Sequence, residues 1–203
     1  LHDSNREKGS SFSVYKNGEA IIDIWSGYSD ADETKPWERN SLATVWSTTK
    51  GVAAITVALA VERGLLDYSE KVSHYWPEFS ENGKENITVE MLLSHQAGIC
   101  GAQTNDVNDF YDQELMASKL AGMKPIWEPG TASGYHSMTF GWLTSELIKR
   151  VTGKTLGSYF REEIAEDRDI DFYIGLPEAE EGRVAEMIPF SKEENNQNEN
   201  TGP

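Results

Sequence analysis

Two short runs near the start of the chain, Ser11 to Tyr15 and Ala20 to Trp25, read as strands, rich in the apolar and β-branched residues that suit a pleated surface. Lys16-Asn17-Gly18 lies between them, and Asn-Gly supplies the positive φ angles of a tight turn, so a β-hairpin is predicted to open the fold. A polar loop containing Pro36 follows. The pattern then changes: Ser47 to Arg63 is alanine-rich, free of proline and closed by Gly64, which predicts a long helix with Ser47 at its very start.

Further helices are predicted over Thr88 to His95, Asp112 to Gly122, Ser137 to Thr152 and Thr155 to Ala165, separated by loops rich in Gly, Pro and Asn. Residues 66–165 thus form a helical lobe. Asp171 to Leu176 returns to a strand-like pattern and Pro177 to Gly182 is an acidic turn, where the α/β lobe is expected to resume. Ser191 to Pro203 has nothing apolar to bury and is expected to be a disordered tail or a nicked surface loop, leaving residues 1–190 as the folded portion.

With 203 residues, 38% of them hydrophobic, the chain can bury a sizeable core. Its net charge of -16 repels phosphate backbones, which argues against a nucleic-acid partner and an anionic membrane surface. The longest apolar run, Val52 to Val61, falls far short of the ~20 residues of a membrane-spanning helix. The single Cys100 permits no internal disulfide and no cysteine pair for zinc. The compartment is not readable, with a slight lean to the cytoplasm, because a targeting segment before Leu1 would leave no trace.

The candidate chemistry lies in Ser47-Thr48-Thr49-Lys50. Three residues on a helix are about one turn, so hydroxyl and amine share a face and can share a proton. A serine hydroxyl needs such a neighbour to become a nucleophile, and a lysine serves as one when burial eases its deprotonation. First-turn N–H groups, that of Ser47 among them, can supply part of an oxyanion hole. The pattern alone is weak. Ser13-Val14-Tyr15-Lys16 repeats it in a strand, where positions three apart face opposite sides, and an N-capping serine with an exposed lysine would also look like Ser47 and Lys50.

The surrounding blocks discriminate. Val45-Trp46-Ser47-Thr48-Thr49-Lys50-Gly51, Arg63-Gly64-Leu65-Leu66-Asp67, Tyr75-Trp76-Pro77-Glu78-Phe79, Leu92-Leu93-Ser94-His95-Gln96-Ala97-Gly98, Trp127-Glu128-Pro129-Gly130-Thr131 and Gly134-Tyr135-His136-Ser137 occur in order. Together they resemble the family VIII carboxylesterases and, more distantly, class C β-lactamases and D-Ala-D-Ala peptidases. That resemblance implies an α/β (α+β) fold with an antiparallel-sheet lobe and an inserted helical lobe. It also implies an acyl-enzyme on Ser47, activated by Lys50, with Tyr135 exchanging protons with Ser47 and the leaving group. No metal or organic cofactor is implied, and the substrate would be a small ester or amide.

Ser137 stands where many relatives carry Asn, which favours an esterase over a β-lactamase or peptidase, while its hydroxyl can still donate to a substrate carbonyl or interact with Lys50. His136, beside Tyr135, is a candidate substrate contact; His74 and His95 read as structural. A non-catalytic scaffold of the same fold is the remaining alternative.

Relatives also carry a third motif, K-T-G, H-x-G or W-x-G, on a late strand. Lys154-Thr155-Leu156-Gly157 starts a helix and Trp25-Ser26-Gly27 ends the hairpin, so neither qualifies. The expectation is an N-terminal portion whose C-terminal strands lie on a companion fragment or a missing continuation, nearly inactive alone. Glu162, Glu163, Glu166 and Asp167 read as a solvated helix face, and Trp37, Trp76 and Trp127 as packing residues.

Overall fold

A computed structural model describes residues 7–189, so the expectation for Ser191 to Pro203 lies outside the described residues, as does His2. The chain divides into two compact units, Trp46–Gly175 and the combination of Leu1–Val45 with Leu176–Pro203.

The second of these units opens with strands β1 (Gly9–Lys16) and β2 (Glu19–Gly27), antiparallel, with Phe12 opposite Ile24 and Val14 opposite Ile22. Asn17 and Gly18 both take positive φ, 53° and 82°, the turn that the sequence predicts. One residue, Ile21, is passed over in the pairing, so a bulge interrupts the register. Gly9 is obligatory: a Cβ there would lie 2.2 Å from the Tyr28 carbonyl oxygen and 2.4 Å from the Trp37 ring. The returning segment pairs through Leu42 with Val184, and the Glu186 amide donates to the Ser29 carbonyl at 2.7 Å.

The helical unit contains α1 (Thr49–Glu62), α2 (Val72–Tyr75), α3 (Val89–Leu93), α4 (Gln113–Gly122), α5 (Thr139–Thr152) and α6 (Leu156–Phe160). Their starts follow the sequence: Thr88, Asp112 and Thr155 each accept a first-turn amide hydrogen with the side-chain oxygen. α5 ends on Gly153 at φ 73°, a left-handed position natural to glycine. Ala53, Thr56, Val57 and Ala60 recur at the spacing of one helical face and are the buried side of α1.

Two core clusters result, and α5 serves both. Trp142, Leu143 and Leu147 join Trp76, Phe79, Leu92 and Leu120 in one, and Phe140 and Ile148 join Ala53, Val57 and Tyr159 in the other. Lys84 is fully buried, and its ammonium donates to the carbonyls of Glu81 (2.6 Å) and Met123. That desolvation holds its pKa below the ordinary lysine range.

Two expectations are corrected. The helix expected from Ser47 begins with a tighter 3₁₀ turn, Trp46–Thr48, before α1 proper. Asp171 to Leu176 forms no strand, because it has no ladder partner among the described residues; instead the Ile174 carbonyl packs so close to α6 that a Cβ on Gly157 would lie 1.8 Å from its oxygen.

Candidate active site

Ser47 sits in the 3₁₀ turn and Lys50 in the first turn of α1, and i, i+3 side chains eclipse in such a turn. The Lys50 ammonium lies 3.1 Å from Ser47 Oγ and donates to the Ser137 carbonyl at 2.7 Å. Two anchors therefore fix the amine. The contact with residue 137 is made by the main chain, so the serine side chain is not what holds Lys50; the Ser137 hydroxyl, on an exposed residue, is left for other work.

Trp46, immediately before Ser47, has φ 46° and is 71% exposed. For a bulky side chain this left-handed backbone costs on the order of 1–3 kcal/mol, a strain that commonly accompanies a side chain presented for reaction.

Tyr135 closes the group. Its ring lies 5.0 Å from the Lys50 ammonium, and hydrogen bonds from Ser47 first and Lys50 second hold its phenol below the ordinary tyrosine range. It is 55% exposed, open to a substrate. The three residues singled out in the sequence thus converge within one unit.

The loop bearing Tyr135 is templated by residues 94–98. Gly98 and Gln96 carbonyls accept the amides of Ile126 (2.9 Å) and Gly130 (3.1 Å), the Gln96 carbonyl also accepts Trp127 Nε1 (3.3 Å), and Gly134 lets the Trp127 ring approach to where a Cβ would be 2.3 Å away. The sequence blocks around His95, Trp127 and Gly134 are thereby one construction, whose product is the placement of Tyr135.

The histidines need revision. His136 is fully buried, with Nδ1 2.8 Å from the Gly134 carbonyl, so its ring offers no exposed edge to a substrate in this conformation. Burial first, and the nearby His95, keep its pKa below the ordinary value, partly offset by the Gly134 carbonyl. His95, read as structural, lies against Tyr135 with ring centroids 5.0 Å apart. Nothing in the local sequence marks this, since it depends on a contact between distant loops.

Ser13 of the second serine-lysine pattern donates to Asp23 across the hairpin at 2.7 Å. Thr155 of Lys154-Thr155-Leu156-Gly157 caps α6, and Trp25 belongs to β2. Glu163 pairs with Arg63 at 2.7 Å, Glu162 with Lys154 and Glu166 with Arg161 at 3.2 Å, which accounts for much of the acidic run as ion pairs. Trp76 is a core residue; Trp37 and Trp127 are half-buried. A cleft of about 830 Å³ bordered by Trp76, Glu114 and Lys149 includes none of Ser47, Lys50 or Tyr135, and its Lys149 and Arg150 are already paired with Glu114, Glu78 and Glu146. Among the described residues no helix is long and apolar enough to cross a membrane.

Comparison with known proteins shows the family and the fold. The chain is 41% identical over 182 residues to the esterase/beta-lactamase LipL of Mycobacterium tuberculosis, an alignment covering 89% of this chain and 42% of LipL. The crystal structure of a family VIII carboxylesterase superposes with a TM-score of 0.88 at 44% identity, over 93% of this chain and 52% of that one. A penicillin-binding protein homolog from Caulobacter crescentus gives 0.87 at 39% identity, over 92% and 52%. The chain therefore spans about half the length of these relatives. The family model described as Beta-lactamase matches residues 1–201, and with that match the chain belongs to the beta-lactamase family of serine hydrolases, which embraces penicillin-binding proteins and family VIII carboxylesterases.

Proposed function

We propose that this chain carries the nucleophile of a carboxylesterase acting on small acyl esters. The observation that carries the reading is the convergence of Ser47 Oγ, the Lys50 ammonium and the Tyr135 phenol, with the Lys50 ammonium 3.1 Å from the serine oxygen.

In its phenolate form, which its contacts with Ser47 and Lys50 favour, Tyr135 accepts the hydroxyl proton of Ser47 as that oxygen attacks the ester carbonyl, and so becomes the phenol. The Lys50 ammonium, pinned by the Ser137 carbonyl and 5.0 Å from the Tyr135 ring, favours the phenolate there. Collapse of the tetrahedral adduct breaks the carbon–oxygen bond to the alcohol, which leaves with the proton from Tyr135. Water then attacks the acyl-Ser47 ester, giving its proton to the phenolate, and the acid departs as Ser47 recovers its hydrogen. In this reading Ser137 donates to the substrate carbonyl, and no metal or organic cofactor enters the scheme.

The relatives named as esterases support the ester over the lactam, and Ser137 in place of Asn favours the same choice. The name of LipL also includes beta-lactamase, which keeps a β-lactam as the comparison substrate. A companion fragment or continuation is expected to complete the site. The test is hydrolysis of p-nitrophenyl esters of increasing acyl length beside a chromogenic cephalosporin, using the protein with every polypeptide that co-purifies. Turnover of short esters exceeding that of the cephalosporin is the expected result; cephalosporin turnover without ester turnover would reverse the assignment.

A further inference from the structure

His95 brackets Tyr135. Its carbonyl accepts the Gly134 amide at 3.0 Å and its Nδ1 accepts the His136 amide at 3.2 Å, so the residues on either side of Tyr135 both terminate on it. Its ring packs at 5.0 Å from that of Tyr135, at 5.3 Å from His136 and at 5.3 Å from Phe140. Its backbone is left-handed, φ 65°, an uncommon state for a residue other than glycine, and this loop geometry accompanies the presentation of carbonyl and ring nitrogen to one strand of loop.

We propose that His95 is a positioning residue for Tyr135: in its neutral form with the proton on Nε2, it fixes the tyrosine's main chain through Nδ1 and the carbonyl and its ring through contact. The inference rests on the reading of Tyr135 as the proton carrier of Ser47.

An amide can donate only to an unprotonated ring nitrogen, so the His136 N–H dictates the His95 tautomer. His136 takes the opposite one, because a carbonyl can only accept and Gly134 therefore faces Nδ1–H. The charged and titratable groups facing His95 are Lys50 from α1, and Tyr135 and His136 from the loop; Phe140 of α5 adds an apolar wall. Burial and then Lys50 both oppose a second proton on His95, keeping Nδ1 free to accept at neutral pH. Protonation in acid converts that acceptor to a donor aimed at the His136 N–H, which releases the loop.

Nitrogen-15 NMR of the 203-residue chain across pH 4–8 reads the tautomer directly. The expected spectra place the proton on Nε2 and show the His136 amide moving with the His95 titration, at a midpoint below the ordinary histidine value. A proton on Nδ1, or a His136 amide indifferent to that titration, overturns the proposal.

Labelling of Ser47 by a fluorophosphonate provides the second reading. His95→Ala is expected to slow the limiting labelling rate roughly 10- to 100-fold with little change in half-saturation, the scale of a catalytic group shifted by a fraction of an ångström to an ångström. His95→Asn keeps a side-chain acceptor, tolerates positive φ and is expected to recover most of that loss. Wild-type labelling by His95→Ala refutes the positioning role. If the wild-type protein, with every co-purifying polypeptide present, is not labelled at Ser47 at all, the esterase reading falls, while tautomer and co-titration still decide whether His95 holds the loop; should His95→Ala fail to fold, they and His95→Asn decide it likewise.

Discussion

Leu143, Leu147 and Ile148 of the helical unit are completely shielded from solvent, whereas Phe12, Tyr15, Ile21 and Ile24 of the hairpin are each more than half exposed. The same residue types serve different ends in the two units. Among the described residues every buried hydrophobic side chain lies between Ala53 and Ala165. The helical unit thus buries apolar surface, whereas the hairpin is held by its antiparallel backbone ladder. The candidate site residues, Ser47, Lys50 and Tyr135, all stand on the unit that holds the buried apolar side chains among the described residues.

The largest effect expected from breaking that contrast is in α5. Leu143→Ala removes a fully buried side chain of the first cluster and is expected to cost about 2–5 kcal/mol, read as a fall in the urea midpoint at unchanged slope. Gly157→Ala forces a methyl into the Ile174 carbonyl, requires the backbone to move and is expected to cost about 1–3 kcal/mol in the same titration.

A pH series sharpens the comparison further. His95 and His136 both have pKa values depressed in the folded state, so between those values and about 6.5 the unfolded chain binds more protons. Stability from this source is fully present above about pH 6.5 and is lost as pH falls through the depressed values. His136→Asn should flatten that dependence, measured as the difference in urea midpoint between pH 7.5 and pH 5. The smallest change is expected in the hairpin: Phe12→Ser should alter stability by less than about 0.5 kcal/mol while reducing concentration-dependent self-association in sedimentation, because it removes exposed apolar surface.

What could be read from the residues alone followed the same division. Asn17-Gly18 states the hairpin turn locally, and Thr88, Asp112 and Thr155 state helix starts, because both depend on neighbours in sequence. The Ser47–Lys50 spacing is local too, but weak by itself, since Ser13 and Lys16 repeat it; the ordered blocks are what single out Ser47, Lys50 and Tyr135 as candidates. Lys84 was not, because a lysine is ordinarily a surface residue and only the fold brings the Glu81 and Met123 carbonyls to its ammonium. Nor was His95, whose acceptor role exists only when residues 94–98 meet residues 126–136. Asp171 to Leu176 failed in the other direction: its strand-like composition was real, but a strand requires a neighbour that the described residues do not offer.

The central claim is that Ser47 is the nucleophile, with Lys50 and Tyr135 as the groups that make it one. Intact-mass spectrometry of every polypeptide in the preparation, before and after a fluorophosphonate, tests it most directly. The account predicts one adduct on the chain bearing Ser47, none in Ser47→Ala, and strongly slowed formation in Lys50→Met and Tyr135→Phe. An adduct that persists in Ser47→Ala, or a folded protein that forms none with its co-purifying polypeptides present, would contradict it.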